Sequence, residues 1–209
     1  MTNNAPLVLA AHGSADAGFA TVIESLASLI VELRPGLEVR VGYLEHGPPD
    51  LREVAGASCV VVPVFLSSGF HVRRDIPAQA PQSLVTTAVG PDRRITNALA
   101  ARLREAGWQG ERPVVVAAAG SENPRALADV HQSARDLGDE LGMEVSAAFV
   151  SAGEPRLDEV AAAAVVSYLL APGHFADVVA ACGAPIVTAP LGAHPSIAEI
   201  ILDRYDSAM

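Results

Sequence analysis

The two halves of this chain carry the same motifs in the same order, and that duplication limits its possible folds more than any other feature. Leu9-Ala10-Ala11-His12-Gly13-Ser14 returns as Val116-Ala117-Ala118-Ala119-Gly120-Ser121. Gly47-Pro48-Pro49-Asp50-Leu51-Arg52-Glu53-Val54 returns as Gly153-Glu154-Pro155-Arg156-Leu157-Asp158-Glu159-Val160. Phe65-Leu66-Ser67-Ser68-Gly69 answers to Leu169-Leu170-Ala171-Pro172-Gly173, and the stretch from Val85 to Ile95 answers to that from Val187 to Ile197. The offset stays near about 105 residues, which is a duplicated domain rather than a solenoid repeat.

Within each copy, short apolar runs alternate with helical-period stretches. Residues 7–11, 39–44, 60–66 and 84–88 read as buried strands, and 114–118 opens the second set. Between the first two runs Val22, Ile23, Leu26, Leu29, Ile30 and Leu33 recur at three- and four-residue spacing before Pro35-Gly36 stops the helix. Ile95, Leu99 and Leu103 mark another helix. Such alternation predicts α/β architecture, with parallel strands and right-handed crossovers. The expected organisation is two similar domains, residues 1–107 and 113–209, joined by a linker at 108–112. Each is a four-stranded parallel sheet flanked by helices.

Ligands in open parallel sheets bind at the carboxyl ends of the strands. His12, Glu45 and His71 each follow a different strand of the first copy and gather at that edge. Their counterparts in the second copy are Ala119, Ser151 and Phe175, so all three are lost together while several of the surrounding glycines and prolines persist. Residues needed only by the fold would have survived in part, so the contrast assigns one site to the first copy. His174, displaced by one position, is a weak stand-in. The other histidines read as structural: His46 on the opposite strand face from Glu45 and in solvent, His131 at the boundary of a helix, His194 as a cap before Pro195. Gly13-Ser14 reads as a tight turn and helix N-cap. Cys59 and Cys182 read as buried, inert thiols in apolar stretches. Two imidazoles and a carboxylate without thiolates suit Fe2+, Co2+, Ni2+ or Zn2+ and are no Ca2+ cage. Three protein ligands leave positions open for a metal that reacts or is handed on.

Several classes fall away on composition. All 14 basic residues are arginine, which excludes a lysine Schiff base, pyridoxal-phosphate attachment, a Walker A loop and a kinase site. A formal charge of −10 argues against nucleic acid as a partner. No apolar run is long enough to span a bilayer, the longest being residues 160–171. With no basic region and apolar core at Met1-Thr2-Asn3-Asn4, the expected location is the cytoplasm.

Ala11-His12-Gly13-Ser14, Tyr43-Leu44-Glu45, and Phe65-Leu66-Ser67-Ser68-Gly69-Phe70-His71 followed by Asp75-Ile76-Pro77 together resemble the sirohydrochlorin chelatase family, the ATP-independent class II tetrapyrrole chelatases. Tyr168-Leu169-Leu170-Ala171-Pro172-Gly173 and Leu191-Gly192-Ala193-His194-Pro195 are similar to the degenerate second domain of its two-domain form. Ser68-Gly69 departs from the Pro-Gly that many relatives carry. The resemblance implies two chelatase-like domains facing across a cleft that holds the macrocycle, and a lyase that inserts Fe2+, or Co2+ or Ni2+, into sirohydrochlorin. It carries His12 and His71 over as the metal and proton-handling pair and Glu45 as their acidic partner. The metal is then substrate, and no permanent cofactor is implied.

The substrate's carboxylates need guanidinium partners on so acidic a protein. Arg73 and Arg74 are the candidates, since arginine pairs with carboxylates bidentately, with Ser14 and Gly69 beside them as substrate-side residues. An exposed first helical turn is the competing reading of the two arginines. A carrier that binds metal or tetrapyrrole without turnover is the alternative function. Phosphoryl transfer through a His-Gly motif is weakened because Ala11, not arginine, precedes His12. With both copies on one chain, the expected state is a monomer.

Overall fold

The computed structural model describes residues 5–209. Its first repeat runs β1 (Leu7–Ala11), α1 (Ala17–Leu33), β2 (Val39–Tyr43), α2 (Leu51–Val54), β3 (Val60–Pro63), a wide π-helical turn (His71–Asp75), α3 (Ile76–Gln79) and β4 (Leu84–Val85), then α4 (Arg93–Glu105). The second runs β5 (Val114–Ala118), α5 (Pro124–Leu141), β6 (Val145–Phe149), a 3-10 turn (Leu157–Glu159), β7 (Ala164–Ser167), α6 (His174–Ala180), β8 (Ile186–Val187) and α7 (Pro195–Asp206). Two parallel four-stranded sheets result, ordered β2-β1-β3-β4 and β6-β5-β7-β8. Their registers repeat: Leu7 pairs with Val39 and Val60 as Val114 pairs with Val145 and Ala164. All five residues of β1 and of β5 are buried, as expected of central strands covered on both faces.

Local chemistry sets the elements. Asp16 caps α1 by accepting from the Gly18 amide, Ile23, Leu26 and Ile30 form its buried face, and the helix stops at Arg34 before Pro35-Gly36. Asn123 does the same for α5 through the Arg125 amide. The strands at residues 39–44, 60–66 and 84–88 are shorter than their apolar runs suggest, ending at Tyr43, Pro63 and Val85. After Pro63 the Val64 amide makes one last bond to Ala10 O (2.8 Å), and the chain then leaves the sheet. Cys59 is buried as expected, whereas Cys182 is only half-buried in the turn after α6.

The compact units do not follow the sequence repeats. One comprises residues 5–89 and 193–209, the other residues 90–192. The closing helices are therefore exchanged. In the first unit α7 packs on α1 and β3, burying Ile197, Ala198, Ile200 and Ile201; Tyr205 Oη donates to Ala5 O (2.6 Å) and Arg34 pairs with Asp206. In the second, α4 packs on α5 and β7, and Arg102 donates to Leu191 O (2.6 Å). The boundaries expected at residues 107 and 113 follow the sequence repeats, whereas the compact units divide after residues 89 and 192. Residues 108–112 are an ordered turn inside the second unit, with Trp108 Nε1 donating to Glu111 O (2.8 Å). No helix among the described residues is long and apolar enough to cross a membrane.

Candidate active site

The site stands at the carboxyl ends of β1, β2 and β3. The β1–β2 ladder continues one step past its strands, with Leu44 N bonded to Ala11 O (3.0 Å) and Glu45 N to His12 O (2.9 Å). That last bond sets His12 beside Glu45. The two loops meet so closely that a Cβ on Gly13 (φ +90°) would lie 1.7 Å from Glu45 O, so glycine is required there. The π turn after β3 brings His71 to the same place. Its ring centroid lies 4.5 Å from that of His12, nearly perpendicular at 87°.

One ligand atom from each of His12, Glu45 and His71 falls within 4.8 Å of the others, the only such group among the described residues. Donors bound to a common ion at about 2.1 Å lie no more than about 4 Å apart, so a small side-chain rotation closes the set. Both imidazoles are pre-oriented for it. His71 Nδ1 lies 2.6 Å from Asp75 Oδ2, and His12 Nδ1 lies 2.9 Å from Gly13 O. An ionised carboxylate and a carbonyl can only accept, so in the neutral form of each ring Nδ1 carries the proton and Nε2 has the lone pair that a metal or a proton would take. Asp75 is thus placed where it would take the outer position of a carboxylate–histidine–metal arrangement if His71 held an ion. Glu45 is exposed and the two histidines are half-buried, which suits a site that must admit and release a metal.

Other expectations are met unevenly. Ser14 does not cap α1; its Oγ accepts from the Asp16 amide (3.0 Å) and Asp16 takes the cap, just as Ser121 accepts from Asn123 (3.1 Å). Gly69 has open space where a Cβ would be, so sterics do not demand glycine there. Arg73 and Arg74 are exposed in the π turn, and the Arg74 guanidinium lies over the Phe70 ring at 5.8 Å. His46 does not point away from Glu45: its left-handed backbone (φ 49°) swings Nε2 to 3.6 Å from Glu45 Oε2. Strand alternation fails there because β2 has already ended. His194 caps α7 through the Ser196 amide (3.2 Å), and His131 packs edge-on against Phe149. His174 is exposed. In the second repeat Ser151 Oγ merely donates to Ala119 O (2.6 Å). Asp75, Phe65 and Phe70 belong to the motifs quoted from the sequence, which assign them no role. The i, i+4 spacing of His71 and Asp75 was the signal for the first of them.

The CbiX family model matches residues 6–106 and again 113–208. The chain belongs to the CbiX family. The double match retraces the sequence duplication, whereas the compact units cross it. Curated relatives of this CbiX member include the sirohydrochlorin cobaltochelatases of Methanosarcina acetivorans, 33% identical over 84 residues (37% of this chain, 65% of that one), and of Methanopyrus kandleri, 36% identical over 78 residues (34% and 54%). The chain thus spans less than two thirds of the length of these relatives. The fold is shared along nearly the whole chain with SirB from Bacillus subtilis with Fe3+, at TM-score 0.79 and 20% identity over 97% of this chain and 94% of that one. It is also shared with CbiX, the terminal enzyme for biosynthesis of siroheme in denitrifying bacteria, at TM-score 0.74 and 18% identity over 98% and 99%.

Proposed function

We propose that this chain is a lyase that inserts a divalent metal into sirohydrochlorin or a related carboxylated tetrapyrrole without nucleotide hydrolysis. The observation that carries the reading is the convergence of His12, Glu45 and His71, with both Nε2 atoms left free. The CbiX membership and the cobaltochelatase names of its relatives support it.

Insertion exchanges one metal dication for the two pyrrole N–H protons of the free ring. The three side chains hold the incoming ion with positions left open, so that ring nitrogens replace protein and water ligands in turn. Each imidazole that releases the metal has a free Nε2 lone pair able to take a pyrrole proton. Glu45, exposed at the rim, hands ions in and protons out. Arg73 and Arg74 pair with peripheral carboxylates, and Ser14 and Gly69 border the ring. Fe2+ is our first candidate, supported by fold neighbours named for bound Fe3+ and for siroheme biosynthesis. Co2+ and Ni2+ suit the same donors, and cobalt is named for the curated relatives and for a second SirB structure. The duplicated chain acts as a monomer in the cytoplasm.

The test is anaerobic metallation of sirohydrochlorin with Fe2+, Co2+ and Ni2+ in turn, followed by absorbance. Wild type accelerates insertion, whereas His12→Ala and His71→Ala lose it while keeping wild-type circular dichroism. A carrier would bind the ring without accelerating metallation. Equal turnover in both variants would remove these residues from the site.

A further inference from the structure

The turn that carries His71 also presents a ring for which metal binding has no use. Among the described residues only two aromatic side chains are exposed, Phe70 at 58% and Phe175 at 38%. Both lie where a repeat leaves its third strand for the following helix. A single exposed phenyl is ordinary on a protein surface; the surroundings of Phe70 are not. Its centroid lies 6.2 Å from that of His71, edge to face at 85°. Phe65 stacks on the same imidazole at 6.2 Å and 24°. Arg74 occupies one face of Phe70 at 5.8 Å, and the exposed remainder of the ring is open to solvent. A metal ligand, an uncovered aromatic surface and a free cationic group thus stand side by side on five consecutive residues.

We propose that Phe70 is a stacking surface for the face of a planar conjugated macrocycle, with Arg74 pairing one of its peripheral carboxylates. The proposal rests on the chelatase reading and narrows its substrate class. A ring whose centre must meet an ion held at His71 places its outer pyrroles about one ring-width away, within the 4.5–7 Å range over which aromatic pairs attract. Arg74, held against Phe70, keeps its charge at the rim, where the carboxylates lie. Stacking of this kind selects for flatness. A tetrapyrrole whose bridging carbons are saturated carries the same carboxylates but is puckered, and it gains the charge contact without the stacking.

The experiment uses the full chain and calorimetric titration under anaerobic conditions, with uroporphyrin I as the flat probe and uroporphyrinogen I as its puckered counterpart. Phe70→Ala is expected to weaken uroporphyrin binding about five- to tenfold, the range one aromatic contact supplies. Phe70→Trp restores it, and uroporphyrinogen affinity moves less than about twofold. Co2+ affinity stays at the wild-type value in both variants, which shows that the metal site is intact. The proposal is overturned if Phe70→Ala binds uroporphyrin like wild type, or loses both probes equally. If that happens while wild type still metallates sirohydrochlorin, only the stacking role falls. A wild type that neither binds uroporphyrin nor metallates sirohydrochlorin overturns the chelatase reading and this proposal together.

Discussion

Gly13→Ala is expected to damage the proposed metal site far more than its size suggests, and the duplicated chain contains its own control. At φ +90° an L side chain is strained by about 1–3 kcal/mol. The added Cβ would also sit 1.7 Å from Glu45 O, so the loops after β1 and β2 must part by roughly 1.5 Å, at an overpacking cost of about 1–3 kcal/mol. The first unit should therefore lose about 2–6 kcal/mol. Metal ligands must keep their distances to within about 0.2 Å, so parting the His12 and Glu45 loops should cut Co2+ affinity by more than about tenfold. Gly120→Ala imposes the same strain on the second unit, with φ +96° and a Cβ 2.2 Å from Ala152 O. Its loops carry Ala119 and Ser151 instead of ligands, so stability falls and Co2+ affinity does not. Hydrogen exchange resolved by unit reads the stabilities separately, and calorimetry reads the metal. A Gly13→Ala protein with wild-type Co2+ affinity, or a Gly120→Ala protein that loses it equally, would refute the coupling of loop contact to ligand placement.

Three further outcomes follow from the same structure. Asp75→Asn removes the charge that orients His71 while keeping a carbonyl acceptor; Co2+ affinity should fall about tenfold or more with unchanged circular dichroism, and Asp75→Ala should fall further. Ile201→Ala, in a fully buried position of α7, should cost about 2–5 kcal/mol, and hydrogen exchange should register the loss in β1, α1 and β3 rather than in β5 or β7. Arg34 holds the Asp206 carboxyl below its usual range by hydrogen bonding, so this pair stabilises the fold above the unfolded carboxylate pKa of about 3.9 and ceases to as pH falls through the lower folded value. Both side chains are a third to a half exposed, so Asp206→Asn should cost no more than about 1 kcal/mol at pH 7, with the difference from wild type vanishing on acid denaturation once the pH has fallen through the lowered folded value.

What the sequence makes legible here depends on contrast between the repeats. His12, Glu45 and His71 stand out because Ala119, Ser151 and Phe175 replace them on a scaffold that keeps its strand order and several of its glycines and prolines, and the structure brings those three together. Gly13 and Gly120 persist because both loops need the same close approach. Where no contrast exists, the reading fails for a physical reason. Period-2 alternation places His46 on the wrong side of Glu45, because it holds only while the chain remains a strand, and β2 stops at Tyr43. Phe70 is invisible to periodicity, since an apolar residue in a turn signals neither core nor surface. Asp75 sits at a helical spacing from His71 that is common to many uninvolved pairs.

The exchanged helices show the limit most sharply. α4 and α7 are equivalent in the two repeats and both present apolar faces at helical spacing, so either could cover either sheet. Nothing in Ile95-Leu99-Leu103 or Ile197-Ile200-Ile201 names its partner. Pairings distant in sequence accompany the arrangement that forms: Arg34 with Asp206, Tyr205 with Ala5 O, and Arg102 with Leu191 O. One consequence is that a sequence repeat is not a folding unit in this chain. A fragment ending at residue 107 keeps every proposed metal donor yet lacks α7, leaving the surfaces of α1 and β3 that Ile197, Ile200 and Ile201 cover open to water. The unit that carries the proposed donors of the first repeat is closed by a helix of the second, which gives the copy without them a structural reason to persist.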